Sequence, residues 1–345
     1  MEIAPQSVPE SEFQQAIQRY RAELHLHCYR ITGSLLDADD LVQESLLRAW
    51  RGRGGFMARG PLRAWLYRIA TNVCLDAVSR RRARIRPTDH GPAEDAVGPH
   101  GPPVAEATWL EPYPDSLIEQ LPDDVPGPDA IYETREAVEL AFLAAIQLLP
   151  PRQRAVLLLR DVLGWSAAET AALLETSVAS ANSALQRARA TLKQRAPERP
   201  EGWRMQAASE SVERSLVERY LAAWDAADAS ALVALLKEDA TLTMPPAASW
   251  YCGRAAIARF LDANPFSPQW RGLLKLVPTR GNRHPGFAVY HKGERADTFD
   301  PFGMMLLRID GDAICEIASF TDTRLFVPFG LPPSLPGESV GEAAH

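Results

Sequence analysis

The chain has only four cysteines among 345 residues, and Cys28, Cys74, Cys252 and Cys315 are widely spaced without a C-x-x-C pair. That argues against a disulfide framework and for free thiols in the reducing cytoplasm. His25, His27 and Cys28 cluster, but near neighbours on a helix point to different sides. A structural zinc wants four convergent ligands, so no metal is expected. No apolar run reaches 18 residues and no charged-then-apolar leader opens the sequence, so neither a membrane span nor export is expected. Positive charge is short overall, at a formal −7, which at first sight disfavours a nucleic-acid partner.

The total conceals a segregation. Residues 48–86 hold eleven arginines against one acid, Asp76, a local balance of +10. Residues 87–136 hold twelve acids against Arg135, a balance of −11, together with ten prolines. Proline at that density opposes helix and central strand, so 87–133 reads as a linker. An acidic tether beside a basic module either solubilises it or lies over it and competes with DNA.

Residues 61–84, PLRAWLYRIATNVCLDAVSRRRAR, read as one amphipathic helix ending in arginines. Leu62, Leu66, Ile69, Val73 and Ala77 make the expected buried stripe. Trp65, Arg68, Asn72, Asp76 and Arg80 step along a neighbouring face. Cations, an amide and an aromatic suit a partner offering phosphates and bases; the alternative is an ordinary solvated face. Upstream, Phe13, Ile17, Tyr20, Leu24 and Ile31 predict one helix, broken at Gly33 and Ser34. The stretch 37–50, DADDLVQESLLRAW, begins with acids where a helix start favours them. Its outward face carries Asp40, Gln43, Glu44 and Arg51, either solvated or facing a protein.

Pro151 opens a further helix, with Gly164 as its left-handed stop. Ser166 and Glu169 form a capping box for the next, 167–174. A turn at Glu175, Thr176 and Ser177 leads into 178–195. Two helices so joined make a helix-turn-helix, whose second member enters the major groove. Asn182, Ser183, Gln186, Arg187 and Arg189 face outward and suit purine edges and phosphates. Tight hairpins of ordinary helical bundles share this pattern.

Taken in order, DADDLVQESLLRAW, the 61–84 helix and LPPRQRAVLLLRDVLGWSAAETAALLETSVASANSALQRARATL closely resemble an extracytoplasmic-function sigma factor of the sigma-70 class. The resemblance covers residues 10–197. Even 107–114, ATWLEPYP, resembles the Trp-Leu-x-Pro segment of members with a carboxy-terminal extension. It implies that Asp39, Asp40, Gln43 and Glu44 bind the clamp helices of the core polymerase largest subunit. It gives −10 recognition to Trp65, Arg68, Asn72, Asp76 and Arg80, with Arg63, Arg81 and Arg82 on phosphates, capturing an unstacked base. Trp65 is alternatively core. For the −35 element it implies Arg152, Asn182, Ser183, Gln186, Arg187 and Arg189. The family's Gly-Thr-Val-Lys-Ser-Arg-Leu-x-Arg-Ala-Arg appears here as ASANSALQRAR, so Asn182 and Ala184 replace two cations. Fewer phosphate contacts imply weaker, less salt-dependent binding.

From Ser211 onward the character changes. Val212, Leu216, Tyr220 and Trp224 predict a long helix, with a shorter one at 231–236. Strands are expected at 240–244, 273–279, 286–290, and 302–309 paired with 314–320 through the Asp310-Gly311 turn. Helices followed by a mainly antiparallel sheet make an α+β domain. With Met244-Pro-Pro and WYCGRAAIARFL (250–261) it resembles the SnoaL-like branch of the nuclear-transport-factor-2-like cone, over 210–330. Trp224, Met244, Trp250, Tyr251, Tyr290 and Phe320 are candidates for a small-molecule pocket, or for its packed core. Asp225, His291, Asp297 and Asp322 are conceivable pocket acids and bases, but no pair has diagnostic spacing, so no catalytic residue and no cofactor is assigned.

The expected organisation is a multidomain chain: sigma domain 2 at 10–86, the linker at 87–133, sigma domain 4 at 134–197, a tether at 198–209, the cone at 210–330 and a tail at 331–345. The leading reading is an alternative sigma factor, not an enzyme, whose extension contacts the linker or domain 2 and regulates it. The alternatives are a ligand-sensing helix-turn-helix factor independent of polymerase, and a SnoaL-like enzyme on DNA-binding domains.

Overall fold

The computed structural model describes residues 10–55, 61–79, 83–94, 109–121, 138–195, 208–293 and 298–337. The chain divides into two compact units, one built from 1–84 and 110–203, the other from 85–109 and 204–345.

In the first unit the single amino-terminal helix expected from the apolar spacing is two: α1 (Glu10–Gln18) and α2 (Arg21–Thr32), separated at Tyr20. Phe13 and Ile17 anchor α1, whereas α2 is buried almost all round, so no one-sided pattern could join them. Gly33 ends α2 at φ +71°, its N–H on the Tyr29 carbonyl, where a side chain would strike Leu110. Ser34 caps α3 (Leu35–Gly52) by accepting from the Asp37 N–H. Next comes α4 (Leu62–Val78), which packs on α2 and α3. Its buried face is Leu66, Tyr67, Ala70, Thr71, Val73 and Cys74. The expected stripe is therefore rotated: Leu62, Ile69 and Ala77 are only half-buried. The cause is that α4 has neighbours on two sides, so a face carrying Tyr67 and Thr71 is also covered.

α5 (Leu140–Gln147) leads to α6 (Pro151–Leu157), which runs on as a π-helical turn through Val162 towards Gly164 at φ +67°. The capping box of Ser166 and Glu169 opens α7 (Ala167–Leu173), and a turn with Glu175 at φ +50° connects it to α8 (Val178–Arg195). Ala181, Ala184, Leu185, Ala188 and Leu192 form the inner face of α8. Arg154 knits the unit from within. It is 3% exposed and donates to the Ile146, Gln147 and Leu149 carbonyls at 2.7–3.2 Å, and to the Ile31 carbonyl at the end of α2.

The described parts of the proline-rich linker, 87–94 and 109–121, carry local structure. They contain single helical turns at Pro87–His90 and Asp115–Ile118, with Pro87 at N1 and Pro114 at the N-cap, where the missing N–H is no loss. In the first unit Glu111 accepts from the Ser34 hydroxyl (2.9 Å) and the Leu36 N–H (3.1 Å), at the start of α3. Tyr113 packs its ring, tilted, against those of His25 and Tyr29, and its hydroxyl shares a hydrogen bond with His25 Nδ1 at 2.8 Å. This docking places residues 111–113 on α2 and the start of α3.

The second unit is an α+β cone. Helices α9 (Glu210–Asp225), α10 (Ala229–Val233) and α11 (Arg254–Ala263) accompany strands β1 (Leu236–Thr243), β2 (Trp250–Cys252), β3 (Leu274–Gly281), β4 (His284–Lys292), β5 (Thr298–Asp310), β6 (Ala313–Phe320) and β7 (Leu335–Pro336). The sheet order is β2-β1-β6-β5-β4-β3, with β7 on β5; β1 and β6 are parallel and the other pairs antiparallel. The Asp310-Gly311 turn joins β5 to β6 as expected, with Gly311 at φ +69°. β2, β7 and α11 were not expected; the strands are too short for period-2 alternation to register. One sheet face packs on the helices, and the other carries a smaller cluster of Ala288, Tyr290, Phe299 and Phe326. The linker segment 85–94 belongs here. Trp250 Nε1 donates to the Gly91 carbonyl (2.8 Å), and the Glu94 N–H donates to the Trp250 carbonyl (2.9 Å). No helix among the described residues is long and apolar enough to cross a membrane.

Candidate functional site

On α3, Asp40 and Gln43 stand outward, as the sequence predicts. Glu44 is held by Arg48 at 2.7 Å, and Asp39 by Arg21 at 3.2 Å, with His25 at 3.6 Å. One turn beyond Gln43 lies Leu47, 49% exposed and missed by the sequence reading. An apolar side chain one turn from Gln43, off the inward row, was its only signal.

On α4, Asn72 and Asp76 are exposed, and Trp65 and Arg68 are half-buried on the same side. Trp65 sets its ring edge-on to Phe13 (6.3 Å between centroids), and Phe13 also meets Trp50. It is neither free nor core, but braced. Arg68 lies 3.9 Å from Glu175 of the helix-turn-helix turn. Arg63 corrects the expectation of a phosphate contact. Its Nε donates to buried Glu23 at 2.8 Å, and its guanidinium lies over the Tyr67 and Trp165 rings, so its charge is already spent inside the unit. Arg80, Arg81 and Arg82 lie outside the described residues.

On α8, Asn182, Ser183, Gln186 and Arg187 form one exposed row, and Arg152 is exposed at the start of α6. Arg189 is half-exposed but grips buried Asp161 with both Nε (2.9 Å) and a terminal nitrogen (2.7 Å), which makes it a brace rather than a free cation. Ala184 lies on the inner face. Of the two replaced cations, therefore, only position 182 faces outward.

In the cone, a cavity of about 340 Å³ is lined by Trp224, Met244 and Phe320 among the expected residues. Trp250, Tyr251 and Tyr290 do not line it. Trp250 holds the linker, Tyr251 packs on Phe260, and Tyr290 points to the opposite sheet face, donating to the Pro332 carbonyl. Alternation along β4 puts Val289 in the cavity and hence Tyr290 behind the sheet. Unexpected liners include Phe260, Trp270, Phe302, Met304 and Met305. Among the described residues, Asp225, His291 and Asp322 are not part of its lining, though His291 packs on the lining rings of Trp270 and Phe302. Asp322 instead caps the turn Thr323–Leu325 and holds Arg324, which keeps its carboxyl low despite burial, while Asp297 lies outside the described residues.

Three known families match successive parts of the chain. The Sigma-70 region 2 family matches residues 16–84, Sigma-70 region 4 matches 139–192, and the SnoaL-like domain matches 217–273. The chain is 43% identical over 328 residues to the ECF RNA polymerase sigma factor SigG of Mycobacterium tuberculosis, covering 94% of this chain and 85% of that protein. It is 30% identical over 223 residues to SigJ of the same organism, covering 65% and 62%. The crystal structure of Mycobacterium tuberculosis SigJ shares the fold at a TM-score of 0.57, with 21% identity, over 92% of this chain and 99% of that one.

Proposed function

The chain belongs to the ECF RNA polymerase sigma factors, and on that premise we propose that it binds core polymerase, recognises −10 and −35 promoter elements and initiates transcription in the cytoplasm, with its SnoaL-like extension regulating that activity. It performs no covalent chemistry of its own; its work is binding and strand opening.

The observation that carries the reading is the exposed Asn182, Ser183, Gln186 and Arg187 row on the second helix of a helix-turn-helix. An amide and an arginine so spaced can pair bidentately with adenine and guanine edges, while Arg152 serves a phosphate. On α4, Trp65 offers a braced ring for a base turned out of the non-template strand, returning about 1–3 kcal/mol against the cost of unstacking. Arg68, Asn72 and Asp76 flank it. On α3, Asp40, Gln43 and Leu47 are the core-binding surface, with Asp39 and Glu44 at its edge. Regulation is supported by the linker segment that hydrogen-bonds to Trp250 of the cone.

Run-off transcription with core polymerase, on a promoter selected from genomic DNA, tests the proposal. The full chain is expected to give a specific transcript that Trp65→Ala and Arg187→Ala each reduce, and a chain ending at residue 204 should change its yield. Absence of any transcript would refute the sigma assignment of these surfaces; an unchanged yield from the truncation would refute regulation.

A further inference from the structure

We infer that the cone cavity is a receptor site for a small, neutral, largely planar apolar molecule carrying one hydroxyl, and that its occupancy is felt at the interdomain linker. The size comes first. A cavity of about 340 Å³, filled at interior packing density, takes roughly 12–15 non-hydrogen atoms. The walls set the chemistry. Trp224, Trp270 and Phe302 present flat faces and edges, and Met244, Met304 and Met305 supply polarizable thioethers that adapt to an aromatic body. No ionisable side chain is among the described lining residues, although His291 packs behind Trp270 and Phe302, so a charged ligand would lose its hydration with no charged partner in the wall itself.

Three polar side chains break the apolar wall: Asn264, Ser319 and Thr321. Thr321 donates its hydroxyl to the Pro245 carbonyl at 3.3 Å, and Asn264 donates its amide nitrogen to the Phe260 carbonyl at 3.0 Å. That leaves the Asn264 carbonyl oxygen as an acceptor, and the Ser319 hydroxyl as donor or acceptor, both without a protein partner among the described residues. A ligand hydroxyl can donate to the Asn264 oxygen or exchange a hydrogen bond with the Ser319 hydroxyl.

The communication route lies within the same unit. Met244, Pro246 and Ala247 line the cavity on the connection between β1 and β2. That connection is pinned from the cavity side by the Thr321 N–H and hydroxyl on Pro245. Three residues past Ala247, Trp250 gives its indole N–H to Gly91 and takes the Glu94 N–H on its carbonyl. A ligand against Met244 and Ala247 therefore restrains the strand that holds residues 91–94. Its meaning for transcription rests on the regulatory reading above. Binding itself does not, and is measured without polymerase.

The test uses the full chain and 1-naphthol as probe, with 1-naphthoate as its charged counterpart, by isothermal titration calorimetry. Naphthol is expected to bind one to one, and naphthoate at least about ten-fold more weakly. Ser319→Leu and Ala247→Leu, which each add bulk to the cavity lining, should each weaken naphthol at least about ten-fold while circular dichroism and melting stay as in the parent. Trp250→Phe, which cuts the Gly91 bond outside the cavity, should leave the affinity unchanged. With naphthol bound, hydrogen exchange at the Glu94 amide should slow by about three-fold or more, and the slowing should vanish in Ser319→Leu. Equal binding of naphthoate, or naphthol binding that survives both leucine variants, would overturn the site. Binding without any change at Glu94 would overturn the coupling. Either failure leaves the run-off result for the truncated chain standing.

Discussion

Arg154 shows how much a single side chain carries in this molecule. Burial draws its pKa down to about 10, which still leaves it charged at neutral pH, and the charge is spread over carbonyls from two helix ends. Arg154→Met leaves those carbonyls buried and unpaired, at a cost of about 3 kcal/mol. Urea unfolding should show the first unit melting earlier, with the cone's transition unmoved. His25 and His27 are a second case. Burial, the largest cause, holds His27 down to about 3, assisted by Arg30 and Arg63, and holds His25 down to about 4 with the opposing pull of Asp39. A histidine lowered on folding is protonated first in the unfolded chain, so stability is full above the ordinary value of 6.5 and lost as pH falls towards the folded value. By pH 5.5 each removes about 1.4 kcal/mol. The unfolding midpoint of the first unit should fall between pH 7.5 and 5.5, and His27→Gln, if it keeps a bond to Thr71, should halve the drop.

Among the elements, α8 and α4 differ in how far the sequence exposes them. The helix-turn-helix is legible because its ends are chemically marked: Ser166 and Glu169 at one start, Gly164 before it, and small residues on the inner face of α8. Asn182 is the outward position where the family's cation is missing, so Asn182→Lys should tighten DNA binding by region 4 and steepen its salt dependence by about one unit of slope. Filter binding across a salt series reads this directly. On α3, Leu47→Asp should weaken association with core polymerase by about 1–2 kcal/mol without loss of helix content, measured by competition for core. α4 is harder to read. Its periodicity is helical, but which sector is buried depends on how many neighbours it meets, and Tyr67 and Thr71 look surface-like until α2 and the helix-turn-helix are in place.

At the scale of the whole first unit, region 4 rests on the very helix proposed to read the −10 element. Tyr67 and Trp165 pack with their rings tilted at 5.2 Å, Arg63 lies over Trp165, and Arg68 faces Glu175. Elements centred 25 base pairs apart are separated by about 85 Å of duplex. The α4 and α8 surfaces cannot meet both while these contacts hold, so promoter engagement requires that they part. Arg68→Cys with Glu175→Cys, in a chain whose native exposed thiols are replaced by serine, should lose run-off activity when joined by a short bis-maleimide. The loss is read against the same double variant capped with N-ethylmaleimide, which carries both substitutions without the tether and should retain more activity than the cross-linked chain.

What the sequence by itself determined are the features written in local chemistry: the charge segregation, the capped helix-turn-helix, the Asp310-Gly311 hairpin, and the order of three motifs that identifies the family. These need only near neighbours along the chain. The tertiary structure alone decided which polar and aromatic groups remain available. Arg63 and Arg189 read as free cations until Glu23 and Asp161, 40 and 28 residues away, are folded against them. Tyr290 reads as a pocket residue until the register of β4 turns it behind the sheet. Spacing along a helix or strand tells which residues share a face. Only the packing of distant segments tells whether that face is turned to solvent, to a cavity or to a buried partner, because burial and pairing are properties of the contacts rather than of the order.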